Sequence, residues 1–216
     1  MRLSMFVCLA LGCGVLSAQP RVFVGGMAGV AAVSADGRTL QTNTDYAVSS
    51  YKPESGPAAS GFAGYHFNNW FSLQGLYFWQ RNDLTFDALR PSGRYEQKRG
   101  SSQHAAFADF LIYFRPRTSR LRPWLATGGG FVRLASDLRS NILQEGDLPL
   151  PPDQFSATKP AIRSSVGIDV SLRNGWALRY SFGETISRNP LSKQLLPPGE
   201  RNLASFQNLV GLMKSF

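Results

Sequence analysis

Catalysis at neutral pH needs nucleophiles, bases or metal ligands, and this chain of 216 residues offers few. Its histidines are His66 and His104, and its cysteines are Cys8 and Cys13. Ser102 and His104 stand two apart, a spacing that sets a hydroxyl and an imidazole on one face of an extended strand. A nucleophile and base need a third group to orient the base, and no carboxylate is identifiable by position. Two histidines, with no cysteine beyond residue 13 and no clustered carboxylate, also argue against a zinc site. No catalytic, cofactor-binding or metal-binding residues are therefore expected. The glycine groups lead the same way. Gly25-Gly26-Met27-Ala28-Gly29 has Val24 where a dinucleotide fingerprint needs its first glycine, and Gly128-Gly129-Gly130 lacks the lysine and helix of a phosphate loop. Glycines that let strands bend or approach closely fit the first stretch better.

The remaining candidates are charged side chains, whose meaning depends on the elements that carry them. Met1 to Ala18 has Arg2, an apolar run from Met5 to Leu16, and a small residue before Gln19-Pro20. This describes a secretory leader cleaved after Ala18, leaving 19–216 as one domain. The rival, a lipoprotein leader ending at Cys13, has Ala10 where leucine is usual. Both cysteines fall inside the leader, so the mature chain has no disulfide and must be held by its core or by a membrane. The formal net charge is +9, or +8 without Arg2, and mean hydropathy is −0.16. No later segment offers the roughly 20 apolar residues of a spanning helix, so any membrane passage uses strands.

Strand patterns fill the rest. Arg21 to Val33 reads as a first strand. Ala58 to Arg81 reads as a hairpin turning at Asn68-Asn69, with Phe71, Leu73, Tyr77 and Trp79 on one face and Ser72, Gln74 and Gln80 on the other. In Gln103 to Arg115, Ala106, Ala108, Phe110, Ile112 and Phe114 oppose Gln103, Asp109 and Tyr113. In Trp124 to Ala135, Trp124, Ala126, Val132 and Leu134 are expected outside, opposite Thr127, Gly129 and Arg133. Ile162 to Arg173 alternates Ile162, Val166, Ile168 and Val170 with Arg163, Ser165, Gly167 and Asp169; Asn174-Gly175 then turns into Trp176, Leu178, Tyr180 and Phe182. Asn202 to Phe216 is the last strand. Four polar stretches, 34–57, 82–102, 136–159 and 184–201, read as long loops.

Eight strands with short turns alternating with long loops describe an all-β, antiparallel, up-and-down transmembrane barrel, apolar outside and polar inside. Trp70, Trp79, Trp124 and Trp176 lie near expected strand ends, as interface girdles require. Alternation alone does not distinguish inside from outside, so a soluble sandwich or lipocalin-like barrel is the architectural rival. Loop asymmetry, the tryptophans and terminal Phe216 favour the lipid-facing choice.

Gly64-Tyr65-His66-Phe67-Asn68-Asn69-Trp70 with Ser72-Leu73-Gln74, Arg122-Pro123-Trp124, Asn174-Gly175-Trp176 and Phe216 resemble the small outer-membrane barrels. These are the OmpA membrane domain, the Opa/Ail adhesin group and the broad outer membrane protein beta-barrel domain family. The resemblance covers essentially the whole mature chain and specifies the barrel rather than an activity. It implies the cell outer membrane as location, both termini in the periplasm, and assembly through the C-terminal Phe216. Two positions depart from the pattern: Gln74 stands where relatives often carry an inward glutamate, and Lys214 replaces the usual aromatic residue. Lipid A deacylases of similar shape use His-x-Ser, whereas this chain has Ser102-x-His104.

Inside so narrow a barrel, Gln74, Gln103, Asp109, Arg133, Arg163, Asp169 and Arg179 are expected to meet, because charges taken from water must pair or stay hydrated. Such a network is either a structural plug or the lining of a narrow channel. Lys52, Arg90, Arg94, Lys98 and Arg99, with Tyr46, Tyr51 and Tyr95, are expected on loops at the outer surface. There they meet lipopolysaccharide phosphates or another surface by charge and stacking, or are simply solvated. Charge spread over turns, interior and loops does not form a nucleic-acid stripe. The expectation is a monomer, with outer-membrane lipid and lipopolysaccharide as partners and a structural or surface-interaction role. A lipid A-modifying enzyme and a narrow channel are the alternatives.

Overall fold

The computed structural model describes residues 21–33, 37–41, 47–189 and 202–216; the expected leader and most of the expected fourth loop lie outside them. Among the described residues ten strands follow one another: β1 Val22–Val33, β2 Gly37–Gln41, β3 Ala47–Pro53, β4 Gly56–His66, β5 Phe71–Arg90, β6 Gly93–Tyr113, β7 Leu121–Gly146, β8 Gln154–Ser171, β9 Trp176–Arg188 and β10 Asn202–Ser215. Eight of them close an antiparallel ring, with β1 between β4 and β10 and β5 joined to β6. The β2–β3 hairpin is an addition to that ring. Val48 to Pro53 pairs with Leu89 to Leu84, taking over the edge of β5 that β4 leaves at Gln80.

The short turns form for local reasons. Asn68 Oδ1 accepts from the backbone N–H of Trp70 (2.7 Å) and Phe71 (2.8 Å), so its side chain closes the four-residue connection between β4 and β5. Asn174 and Gly175 have φ of 58° and 75°, the paired left-handed conformation that a two-residue hairpin needs.

Three expected long loops are largely strand. The stretch 34–57 holds β2, β3 and the start of β4; 82–102 is the continuous upper half of the β5–β6 hairpin, turning at Pro91-Ser92; and 136–159 shortens to a connection over 147–153. The reason is a reversal of pattern within single strands. Up to Trp79, β5 is apolar outward (Phe71, Leu73, Tyr77) and partly polar inward (Ser72, Gln74, Gln80). Above it the outward residues are Arg81, Asp83, Thr85 and Asp87, while Leu84, Phe86 and Ala88 are buried. The lower wall thus has the pattern of a strand in lipid and the upper wall that of a strand in water, with its own core of Val33, Leu84, Phe86, Tyr95, Leu134, Leu148 and Leu203. At about 3.3 Å per residue, the 20 residues of β5 exceed the 9–11 that cross a bilayer, so roughly half of the strand stands above it.

The facing expected for β7 is wrong by one residue. Trp124, Ala126, Val132 and Leu134 are buried inside, whereas Thr127 and Arg133 are exposed outside. Because side chains alternate with period two, anchoring the strand on an outward Trp124 inverted every other position. The indole fits inside because it is paired with Gly167, where a Cβ would collide with its ring. Trp70 and Trp176 do face outward near the short-turn end.

Candidate functional site

The barrel interior carries the densest polar chemistry. Arg179 on β9 is wholly buried, and its donors are distributed over three neighbouring side chains. Nε donates to Asp169 Oδ1 (2.7 Å), Nη2 to Asp169 Oδ2 (2.8 Å) and to Tyr113 Oη (2.9 Å), and Nη1 to Gln74 Oε1 (2.7 Å). Asp169 also accepts from Trp124 Nε1 (3.1 Å) and Tyr113 Oη (3.2 Å), so each carboxylate oxygen has two donors. The guanidinium lies 4.7 Å from the Phe62 ring centroid and 5.2 Å from that of Trp124, which screens the pair from water. A second pair lies higher, Arg163 Nη1 to Asp109 Oδ2 at 2.6 Å, with Ser165 Oγ accepting from the same nitrogen at 3.0 Å.

Of the seven residues expected in an inner network, Gln74, Asp169 and Arg179 form one cluster and Asp109 and Arg163 another. Gln103 is buried, but its Nε2 has no hydrogen-bond partner among the described residues. Arg133 is the exception, lying on the outer face for the reason given for β7. Gln74 supplies a neutral acceptor, and Asp169, from the opposite side of the barrel, supplies the charge. Tyr113 and Trp124 complete the cluster. Trp124 could have been found from Arg122, two residues before it: a strand that turns Arg122 inward must turn Trp124 inward too.

Above these pairs the bore is apolar, with Met27, Leu76, Phe78, Phe107, Val132 and Leu209 packed together. A thinner polar layer follows, in which Ser205 Oγ donates to Gln80 Oε1 (2.9 Å) and Gln207 Nε2 to Thr185 Oγ1 (3.2 Å).

The residues expected as surface contacts separate. Lys52 and Lys98 are exposed, Arg90 is half-buried, and Arg94 pairs with Asp87 at 3.4 Å. Arg99 is a correction: it points into the upper core, and Tyr95 beside it is buried as well. Its guanidinium sits 5.5 Å from the Phe86 ring and 5.2 Å from that of Phe155, while Nη2 donates to the backbone carbonyls of Pro152 (2.7 Å) and Asp153 (2.9 Å). Arg99 thus ties the 147–153 connection to the wall of the barrel. Desolvation pushes its pKa below the usual arginine value. Tyr46 and the side chain of Tyr51 lie outside the described residues.

Ser102 and His104 share the outer face, as their spacing requires, but among the described residues no hydrogen bond joins them. His104 Nδ1 instead contacts Tyr77 Oη at 2.7 Å. His66 is buried near the short-turn end, with Nδ1 at 2.6 Å from Ser72 Oγ. Among the described residues there is no cluster of three or more potential metal ligands.

The family described as outer membrane protein beta-barrel domain matches residues 6–203. Among solved structures, the chain is similar to Neisserial surface protein A, with TM-score 0.54 and 16% identity over 90% of this chain and 97% of that one. OprG of Pseudomonas aeruginosa gives 0.52 and 11%, over 91% and 97%. Ail, the attachment invasion locus protein of Yersinia pestis, gives 0.50 and 12%, over 92% and 99%. At these identities the likeness shows the fold alone. No curated protein matches the chain.

Proposed function

The chain belongs to the outer membrane protein beta-barrel domain family, whose place is the cell outer membrane, and from that premise we propose that it is a non-catalytic barrel with a plugged interior and a surface-interaction role. The observation that carries this reading is the two-sided wall: a lipid-type lower half whose bore, above the short-turn end, is filled by paired charges and apolar side chains, and a water-type upper half with a core of its own. A conduit would leave its charges hydrated, whereas Arg179 is wholly buried and its donors are engaged. In this reading the leader ends at Ala18, the short turns and both mature termini face the periplasm, and the upper half stands outside the cell.

Lipopolysaccharide is the proposed outer-leaflet partner. Trp79, His104 and Arg133 are direct cross-strand partners on β5, β6 and β7, and Arg81 follows on the same face of β5. They form the first outward polar band above the apolar wall, at the height where lipid phosphates are met. The Ail protein is named for attachment and invasion; here a comparable surface role rests on this chain's own upper half, where Lys52 and Lys98 are exposed. Phe216 is exposed at the end of β10 and available to the assembly machinery. The barrel acts as a monomer.

Conductance of the purified barrel in a planar bilayer tests the plug. The expected result is silence at ordinary potentials; reproducible, ion-selective openings would replace the plug by a channel. Lipid A mass spectra from cells with and without the protein test for turnover, and a difference abolished by Ser102→Ala would establish an enzyme.

A further inference from the structure

At the short-turn end the interior opens into a cavity of about 230 Å³, lined by His66, Arg117, Arg122, Asp169, Ser171 and Ser215 among others. At about 30 Å³ per water, it has room for roughly eight waters. Its electrostatics are one-sided. Among the described residues Asp169 is the only carboxylate side chain in its lining, and both oxygens of Asp169 are committed to Arg179, Trp124 and Tyr113.

Arg122 stands directly across from Asp169 in the β7–β8 register, yet among the described residues it makes no ion pair with a carboxylate. It is 4% exposed, its Nε is buried without a hydrogen-bond partner, and its one hydrogen bond among the described residues runs from Nη2 to the Asn69 carbonyl at 3.3 Å. The guanidinium lies 3.8 Å from the Tyr113 ring centroid, which fixes its plane. Arg117 reaches the same cavity from the turn between β6 and β7, and no ion pair joins it to a carboxylate among the described residues. The same end of the barrel adds Arg115, Arg120 and Arg173 on the short turns and Arg21 just before β1.

A buried guanidinium with unused donors and a second arginine beside it are what recognises a tetrahedral oxyanion. We propose that this cavity binds a phosphate-bearing group from the periplasmic side, held by Arg122 and Arg117. The side rests on the orientation proposed above; the binding chemistry does not. Two sources share that chemistry, the headgroup of an inner-leaflet phospholipid and a soluble phosphate compound of the periplasm.

The test is calorimetric titration of the purified full barrel, in micelles of an uncharged detergent, with inorganic phosphate and separately with dihexanoyl phosphatidylglycerol. Saturable one-to-one binding of at least one is expected. Phosphate alone assigns the soluble source, and the lipid without phosphate assigns the headgroup. Arg122→Gln and Arg117→Gln should each weaken binding at least tenfold, while Arg173→Gln, on a turn but outside the cavity lining, should stay within twofold of the parent. The heat-dependent gel shift identifies folded variants, and if Arg122→Gln fails to fold, Arg117→Gln decides. Absence of saturable binding by either probe overturns the proposal. So does equal weakening by Arg173→Gln, which would reduce the site to diffuse attraction by a basic rim, and so does an affinity indifferent to the deciding cavity substitution.

Discussion

Replacing Asp169 by Asn is the sharpest perturbation of the interior. The carboxylate takes two donors from Arg179, one from Trp124 and one from Tyr113, all within 3.2 Å. An asparagine keeps the shape but removes the charge and turns one acceptor into a donor facing other donors. Arg179 is wholly buried, so its charge has no access to bulk water. Removing one partner of such a pair costs about 3–5 kcal/mol, because the survivor is left uncompensated. At about 1.4 kcal/mol per tenfold, the unfolding equilibrium should move by roughly two to three and a half orders of magnitude. Urea unfolding in lipid vesicles, followed by tryptophan fluorescence and by the heat-dependent gel shift, measures it. The geometry also predicts a rescue. Gln74 Oε1 already accepts from Arg179 Nη1 at 2.7 Å, so Gln74→Glu in the Asp169→Asn background returns a carboxylate to the guanidinium and should recover a substantial part of the loss. A cost under about 1 kcal/mol for Asp169→Asn, within the range of ordinary substitutions, would refute the reasoning. A double variant no more stable than Asp169→Asn would do the same.

The inverted facing of β7 predicts that Trp124→Ala destabilises by about 3–5 kcal/mol, whereas Arg133→Ala stays within about 0.5 kcal/mol in the same urea assay. Arg99→Met keeps the stacking volume between Phe86 and Phe155 but loses the bonds to Pro152 and Asp153, so limited proteolysis should cut within 147–153 faster than in the parent. Burial pushes the Tyr95 hydroxyl up to about 12, so the folded chain holds its proton after the unfolded chain has lost it. Stability is then full below about pH 10 and falls as pH rises towards 12, by on the order of 2 kcal/mol; Tyr95→Phe should lack that component of the alkaline decline.

The lower barrel was legible because its signals are local. Asn174-Gly175 needs only two residues to declare a turn, and the alternation from Phe71 to Trp79 declares a wall. Asp109, Asp169, Arg163 and Arg179 follow from parity once those turns are placed. The upper half was hidden because the sense of the alternation reverses: Leu84, Phe86 and Ala88 are apolar inward among Arg81, Asp83, Thr85 and Asp87 outward, and together they read as a polar loop. Trp124 was missed because a tryptophan near a strand end signals a girdle, and its accommodation opposite Gly167 depends on a residue 43 positions away. From sequence Arg99 reads as a loop residue, because its acceptors, the carbonyls of Pro152 and Asp153, are brought to it only by the closed fold.

The central claim is that one continuous wall is lipid-facing below Trp79 and water-facing above, with the short turns in the periplasm. The native cysteines, Cys8 and Cys13, both lie in the expected leader, so single cysteines can report on it cleanly. Lys98→Cys, Arg173→Cys and Leu73→Cys would be exposed to a membrane-impermeant maleimide on intact and on permeabilised cells. Lys98→Cys should be labelled on intact cells, Arg173→Cys only after permeabilisation, and Leu73→Cys in neither case. Labelling of Leu73→Cys, or of Arg173→Cys on intact cells, would contradict that claim.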